Sequence, residues 1–275
     1  MPRVSITPSY IGTQPLTCAG DNGESIRPLG DIEHDALALV NSLDSTQQKE
    51  AIVNESPIDV VLGPGEDGKT IRVAGRCFSA GADITELDTL ADGAAFGRFI
   101  GSLAAVLDRL AALPKPTIAA INGFAFGGGF ELALACDLRL ASTGAQLGVP
   151  EIKLGLLPGA AGTQRLARLL PAAVAKHLLM TGEPIGADEA LRLGLVNGVH
   201  YDVAGAALTL AGSIADGPPR ALAAAKRLVD QGPELGFAEG IALERAALIK
   251  LFDTTDRVEG VAAFLAKRPP RFTGA

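Results

Sequence analysis

Three glycine-rich stretches, each following a short apolar segment and leading into a helix or a turn, constrain this chain more than any other feature. They are RCFSAGADI, INGFAFGGGFELALACDLRLA and PEIKLGLLPGAAGTQRL. Short apolar runs alternating with helical segments predict strands and helices packed in layers, an α/β domain. Residues 92–113 set Phe96, Phe99, Ile100, Leu103, Val106, Leu107 and Leu110 along one helical stripe. PKPTIAAING follows, with two prolines that end the helix and an apolar strand that runs into a turn. From about Gly186 onward the pattern is mostly helical, punctuated by Gly194, Pro218, Pro219 and Pro233.

Composition bears on how such a chain recognises anything. Glycine supplies 33 of 275 residues, against about 7% in an average protein, while tryptophan is absent and aromatic residues make up 4%. Backbone amides, rather than aromatic side chains, are the expected recognition groups. The net charge of −7 lies wholly in residues 1–70, which hold eleven acids and four bases; the remainder is balanced. That first part carries loop chemistry, then a predicted helix from about Asp31 to Val53, then PIDVVLGPGEDGK, read as another loop. Three parts are expected: an atypical acidic segment at 1–70, an α/β core at 71–200 and a helical region at 201–275. Cys18, Cys77 and Cys136 are widely spaced with no CxxC pair or histidine cluster, so neither a disulfide framework nor a metal site is expected. No run nears the roughly 20 apolar residues of a membrane span, and MPRVSITPSYIGTQP lacks the features of a signal peptide. The expectation is a cytoplasmic protein engaging neither membrane nor nucleic acid.

The glycine runs are where chemistry is expected. A helix start leaves N–H groups unpaired and partly positive, so Ala80-Gly81-Ala82 and Gly127-Gly128-Gly129 could each aim one amide at an anion. Two such amides on one oxygen make an oxyanion hole, although glycines also serve tight turns and close packing. GAAGTQRL lacks the lysine of a phosphate loop, and no GxGxxG with a downstream acid marks a dinucleotide site. Glu131 interrupts an apolar helix opening, FELALAC; it fits either a dipole-favoured glutamate facing water or a desolvated acid with a raised pKa. Glu151, in VPEIKLG, fits either a surface turn or a second such acid. Asp83 and Asp137 read as local caps.

With those residues in view, the chain from about Ala74 onward resembles the enoyl-CoA hydratase/isomerase, or crotonase, superfamily. FSAGADI, INGFAFGGGFELALACDLRLAS and GVPEIKLGLLPGAAGTQRL stand in that family's order and separations. The resemblance implies a ββα spiral core with a C-terminal helical region. It also implies oxyanion-hole amides on Ala82 and Gly128, acid/base carboxylates on Glu131 and Glu151, and a water-placing backbone at Gly159. For the substrate it implies an acyl-CoA thioester held by the loop at Ala80, Gly81, Asp83 and Ile84, with Gly127 and the basic Lys267-Arg268 pair, which equally fits a solvated helix end with cations favoured by the dipole. No separate cofactor is implied, since coenzyme A belongs to the substrate. Homotrimers, or dimers of trimers, are the implied assembly. The family's GAGG reads GAAG here; Ala161 matters only if its position needs positive φ. His177 and His200 match no catalytic position.

Residues 1–70 lack the family's first strands, and the segment before FSAG is reduced to KTIRVAGRC. PSYIGTQPLTCAGDNGESIRPLGDIEHDALALVNSL instead resembles part of an uncharacterised bacterial domain family. The implied activity is hydration of a 2-enoyl-CoA. A double-bond isomerase, or a noncatalytic chimera with an exposed sheet edge, stays open beside it.

Overall fold

The computed structural model describes residues 77–275 except Asp83, together with three short strand segments before them. The segments are β1 (Cys18–Ala19), β2 (Ser25–Ile26) and β3 (Val60–Leu62). The helix expected at about 31–53 lies outside the described residues. Then come β4 (Cys77–Ser79), α1 (Ile84–Thr89), α2 (Gly93–Ala111), β5 (Thr117–Ile121), β6 (Phe124–Phe126), α3 (Gly128–Ala135), β7 (Leu138–Ser142) and β8 (Gln146–Gly148). A 3-10 turn at Pro150–Leu154 leads into α4 (Gly162–Leu169) and α5 (Ala172–Thr181). After β9 (Ile185–Gly186), α6 (Ala187–Arg192) and β10 (Gly198–His200), the chain is helical: α7 (Val203–Ala215), α8 (Pro219–Gln231), α9 (Phe237–Phe252) and α10 (Thr255–Leu265).

Among the described residues the strands form a separate antiparallel pair, β1-β2, and two four-stranded sheets, ordered β10-β7-β5-β3 and β4-β6-β8-β9. The chain steps from one to the other in β5 to β6 and again in β7 to β8, with α3 between the two steps. This is the turn-by-turn advance of a ββα spiral. Every residue of β5 is buried. Its faces alternate as a strand requires: Ala119 and Ile121 join the main core with Leu107, Phe130 and Leu166, while Ile118 and Ala120 pack under α7 against Val203 and Ala207. Each large apolar side chain so buried contributes about 1.5–3 kcal/mol. Residues 60–62 correct the reading of PIDVVLGPGEDGK as a loop. They form a strand antiparallel to β5, with Leu62 opposite Thr117, so the β5 edge expected to be bare is paired there. Alternation was hard to see in a three-residue strand bracketed by proline and glycine.

Helix α2 starts where Asp92 accepts the Ala95 N–H at 2.8 Å and ends before Pro114 and Pro116. It buries Leu103, Leu107 and Leu110 of its predicted stripe. Helix α3 is apolar all round but for Glu131 and is buried from Gly129 to Ala135, which makes it the axis of the core. Its position depends on Gly129, where an added Cβ would lie 2.2 Å from the Ser79 carbonyl oxygen. Asp137, just past the helix, accepts the Thr117 N–H at 2.6 Å and the Lys226 ammonium at 2.9 Å, tying α3, β5 and α8 together. Among the described residues no helix is long and apolar enough to cross a membrane.

Candidate active site

Because Gly129 lets α3 lie directly on β4, the two glycine turns meet. An added Cβ on Gly128 would stand 3.7 Å from the Gly81 Cα and 3.8 Å from the Ala82 nitrogen. Gly128 is the first residue of α3, so its N–H has no acceptor within its own helix. Gly81 (φ 98°) and Gly127 (φ 53°) take backbone conformations that disfavour side chains, and so aim the amides that follow them. Ala80 lines the same juncture, its carbonyl 3.9 Å from where a Gly127 Cβ would sit. Ile84 follows at the start of α1 with its side chain exposed. Asp83 lies outside the described residues.

Glu131 sits one turn into α3 and is 1% exposed, not turned to water. Its Oε1 accepts two amide hydrogens, from Ala160 and Gly162, both at 2.7 Å. Gly162 is the first residue of α4, which has no side-chain cap of its own, so Glu131 caps α4 from another helix. Burial pushes the Glu131 carboxyl above the usual carboxylate range, and the two amides and the Arg165 guanidinium pull it back. Arg165 donates to the Ala160 carbonyl at 2.8 Å and to Asp108 of α2 at 3.1 Å.

Glu151 comes from the 3-10 turn. Its Oε1 is 3.0 Å from where a Gly127 Cβ would stand, and its Oε2 is buried with no hydrogen-bond partner among the described residues. Burial, with the Glu131 charge adding to it, pushes this carboxyl up to about 7. One carboxyl is thus clamped by two amides from another loop, and the other, beside its own backbone N–H, leaves one oxygen unmatched among the described residues. Such a pair can divide acid and base duties, and the orphan oxygen calls for a polar occupant. Gly159 lies on the same loop, and Ile100 of α2 packs against it so closely that an added Cβ would fall 2.4 Å from the Ile100 side chain.

Ala161 answers the question its departure from GAGG raised: its φ is 71°, so an alanine does occupy a left-handed position. Lys267 and Arg268 are not brought to the glutamates by any described contact. Lys267 follows α10, and Arg268 forms an ion pair with Glu259 at 2.7 Å. The sequence reading missed Arg165 and Ile100 as site neighbours. A cation four residues into a helix and an isoleucine within an apolar stripe gave no signal of what lies across from them. Among the described residues, no three His, Cys, Asp or Glu side chains gather as a metal site. A separate cleft of about 1120 Å³ opens between α2 and the C-terminal helices, lined by Arg139, Lys226 and Arg227 but by neither glutamate.

This geometry, two amide-bearing glycine turns beside two buried carboxyls in a two-sheet spiral, defines a crotonase-fold protein. The family described as enoyl-CoA hydratase/isomerase matches residues 69–275, and the chain belongs to it. The family acts on acyl-CoA thioesters. Residues 1–89 match a second family, a protein of unknown function (DUF3500). The chain is 45% identical over 203 residues to enoyl-CoA hydratase domain-containing protein 2, mitochondrial, of Mus musculus, a match spanning 72% of this chain and 68% of the relative. It is 39% identical over 243 residues to a short-chain-enoyl-CoA hydratase of Clostridium acetobutylicum, spanning 85% and 88% of the two chains. Among solved structures, an enoyl-CoA hydratase from Bacillus anthracis superposes with a TM-score of 0.71 at 39% identity, over 74% of this chain and 79% of that one. The expectation of a cytoplasmic protein is overturned: the relatives from Mus musculus, Homo sapiens and Arabidopsis thaliana are mitochondrial by name. Composition and hydropathy describe a chain compatible with water, and both compartments offer that.

Proposed function

We propose that the chain is an enoyl-CoA hydratase, adding water across the C2=C3 bond of a 2-enoyl-CoA thioester. The observation that carries this reading is the pair of buried carboxyls in unequal surroundings. Glu131, held by two N–H donors, suits the anion that takes a proton from water. Glu151, which lacks donors at its buried oxygen, suits the protonated partner that delivers a proton to C2. As water attacks C3, negative charge moves to the thioester oxygen. The Ala82 and Gly128 amides are the proposed oxyanion hole, a type of contact whose loss costs roughly 3–4 kcal/mol of transition-state stabilisation elsewhere. Gly159 is assigned to placing the water, and Ala80, Gly81, Asp83, Ile84 and Gly127 to the thioester and coenzyme A. These steps form a C–O bond at C3 and a C–H bond at C2 while breaking the C2=C3 π bond and one O–H bond of water; with no net oxidation or reduction, they call for no cofactor beyond the coenzyme A of the substrate.

A double-bond isomerase needs one carboxyl to shuttle a proton, so the second, half-buried glutamate favours hydration. The strand at Val60–Leu62, which pairs β5, supports a working enzyme over a noncatalytic remnant. Exposed Leu248, Ile249, Phe252, Val261, Phe264 and Leu265 on α9 and α10 support a homotrimer or paired trimers, and Lys267 is assigned to the coenzyme A phosphates. The test follows the enoyl-thioester absorbance of crotonyl-CoA beside a Glu131→Gln/Glu151→Gln variant. Loss of absorbance with the parent alone supports hydration; an inert, folded parent that binds the thioester overturns it.

A further inference from the structure

The Glu131 clamp depends on one backbone conformation. Ala160 and Gly162 are separated by a single residue, yet their N–H groups both end on Oε1 of Glu131 at 2.7 Å. Successive amides converge on one anion in this way only when the intervening residue turns the chain back, and Ala161 does so with φ 71° and ψ 15°. The Ala160 peptide is gripped on both sides, its N–H by Glu131 and its carbonyl by Arg165, which Asp108 steadies from α2. Gly162 leaves no room to adjust, since an added Cβ there would stand 2.8 Å from Oε1.

We propose that Ala161 is a positioning residue for the hydration reaction: its left-handed turn, braced by Arg165, fixes Oε1 of Glu131 and leaves the other carboxylate oxygen to face the attacking water. The proposal rests on the reading of Glu131 as the base. The charged groups facing Glu131 are Glu151 from the 3-10 turn and Arg165 from α4, with Asp108 of α2 behind Arg165.

A β-branched residue is strongly disfavoured at positive φ, so Ala161→Val turns the peptide and detaches at least one donor. The expected result with crotonyl-CoA is a kcat lower by on the order of tenfold to a hundredfold, with KM changed less than about twofold. The acidic limb of the pH profile of kcat/KM moves to higher pH, because a base that loses donors holds its proton more tightly. Ala161→Gly, which keeps the turn, retains the parent kcat and the parent limb. Arg165→Met loosens the Ala160 carbonyl without touching residue 161 and lowers kcat by less; its limb also moves to higher pH through loss of the guanidinium charge beside Glu131, so kcat carries the test should the valine variant not fold. Parent-like kcat and limb in a folded Ala161→Val, or parent-like kcat in Arg165→Met if the valine variant is unfolded, overturn the proposal. Parent-like hydration by Glu131→Gln overturns the reading of the base itself, a failure visible whatever the residue 161 variants do.

Discussion

Helices α3 and α10 are both rich in apolar residues and have opposite surroundings. In α3, seven consecutive residues from Gly129 to Ala135 are buried, a glutamate among them. In α10 only Asp256 and Ala263 are buried, and Val258, Val261, Phe264 and Leu265 are each more than half exposed. Their neighbours explain the difference. Helix α3 is wrapped by β4, β6, α2 and α4 of its own chain, so the environment that perturbs Glu131 is made within one chain. The apolar face of α10 is the kind of surface that another protein surface covers. The surroundings of Glu131 and the exposed face of α10 are therefore separable, and variants can pull them apart.

The largest effect is expected inside α3. Glu131→Gln keeps the shape and removes the base, so kcat for crotonyl-CoA hydration falls by about a thousandfold, while thermal unfolding stays cooperative; a near-parent rate breaks the comparison at its catalytic end. Next is Gly129→Ala. Its methyl group meets the Ser79 carbonyl oxygen, a backbone atom that cannot rotate away. Overpacking of that kind costs about 3 kcal/mol, read as a lower urea midpoint. A parent-like midpoint shows that α3 can slide on β4, and that the juncture of the two glycine turns is looser than drawn.

How much of this was legible in the sequence divides along the same line. The α2 stripe, the all-buried β5 and the glycine turns carried their own periodicity, and the glutamates stood out because a charge interrupted an apolar run. Pairings with no local pattern were not legible. Val60–Leu62 pairs with β5 through backbone groups that any residue carries. Arg165 grips a carbonyl five residues back, and Ile100 reaches a loop about 60 residues away. The left-handed turn at residue 161 was posed as a question by the alanine itself, but only the dihedral angle answers it.

At the other end of the comparison, Phe264→Ser with Leu265→Ser removes two exposed apolar groups from α10. If another copy covers them, each contributes about 2 kcal/mol to association. Sedimentation at micromolar concentration is then expected to show smaller species, with the core fold intact by circular dichroism. An unchanged mass shows that this face is covered by something else or by nothing. A smaller effect sits between the two glutamates. Glu151 is pushed up to about 7, so kcat/KM is expected to fall about tenfold per pH unit above that value as the proton donor ionises. The same shift gives a stability contribution that is full below the ordinary carboxylate range and is lost as pH climbs through about 7. A rate flat to pH 9 assigns the donor's role to another group.

The smallest effect concerns how the two helices that flank this contrast begin. Helix α10 starts conventionally: Thr254 is extended, and its side chain accepts the Arg257 N–H. Helix α4 starts from a left-handed alanine with no side-chain cap, and its first amide belongs to Glu131. Replacing that alanine by glycine relieves a conformational cost of roughly 1–2 kcal/mol, but glycine also gives the unfolded chain more freedom, worth about 0.5–1 kcal/mol against the fold. The difference leaves Ala161→Gly more stable by about 0.5 kcal/mol, a small rise in urea midpoint at unchanged slope. A lower midpoint means that the alanine methyl packs well enough to outweigh its strain. In that case the α4 start is held by burial, as α3 is, and not by the glutamate clamp alone.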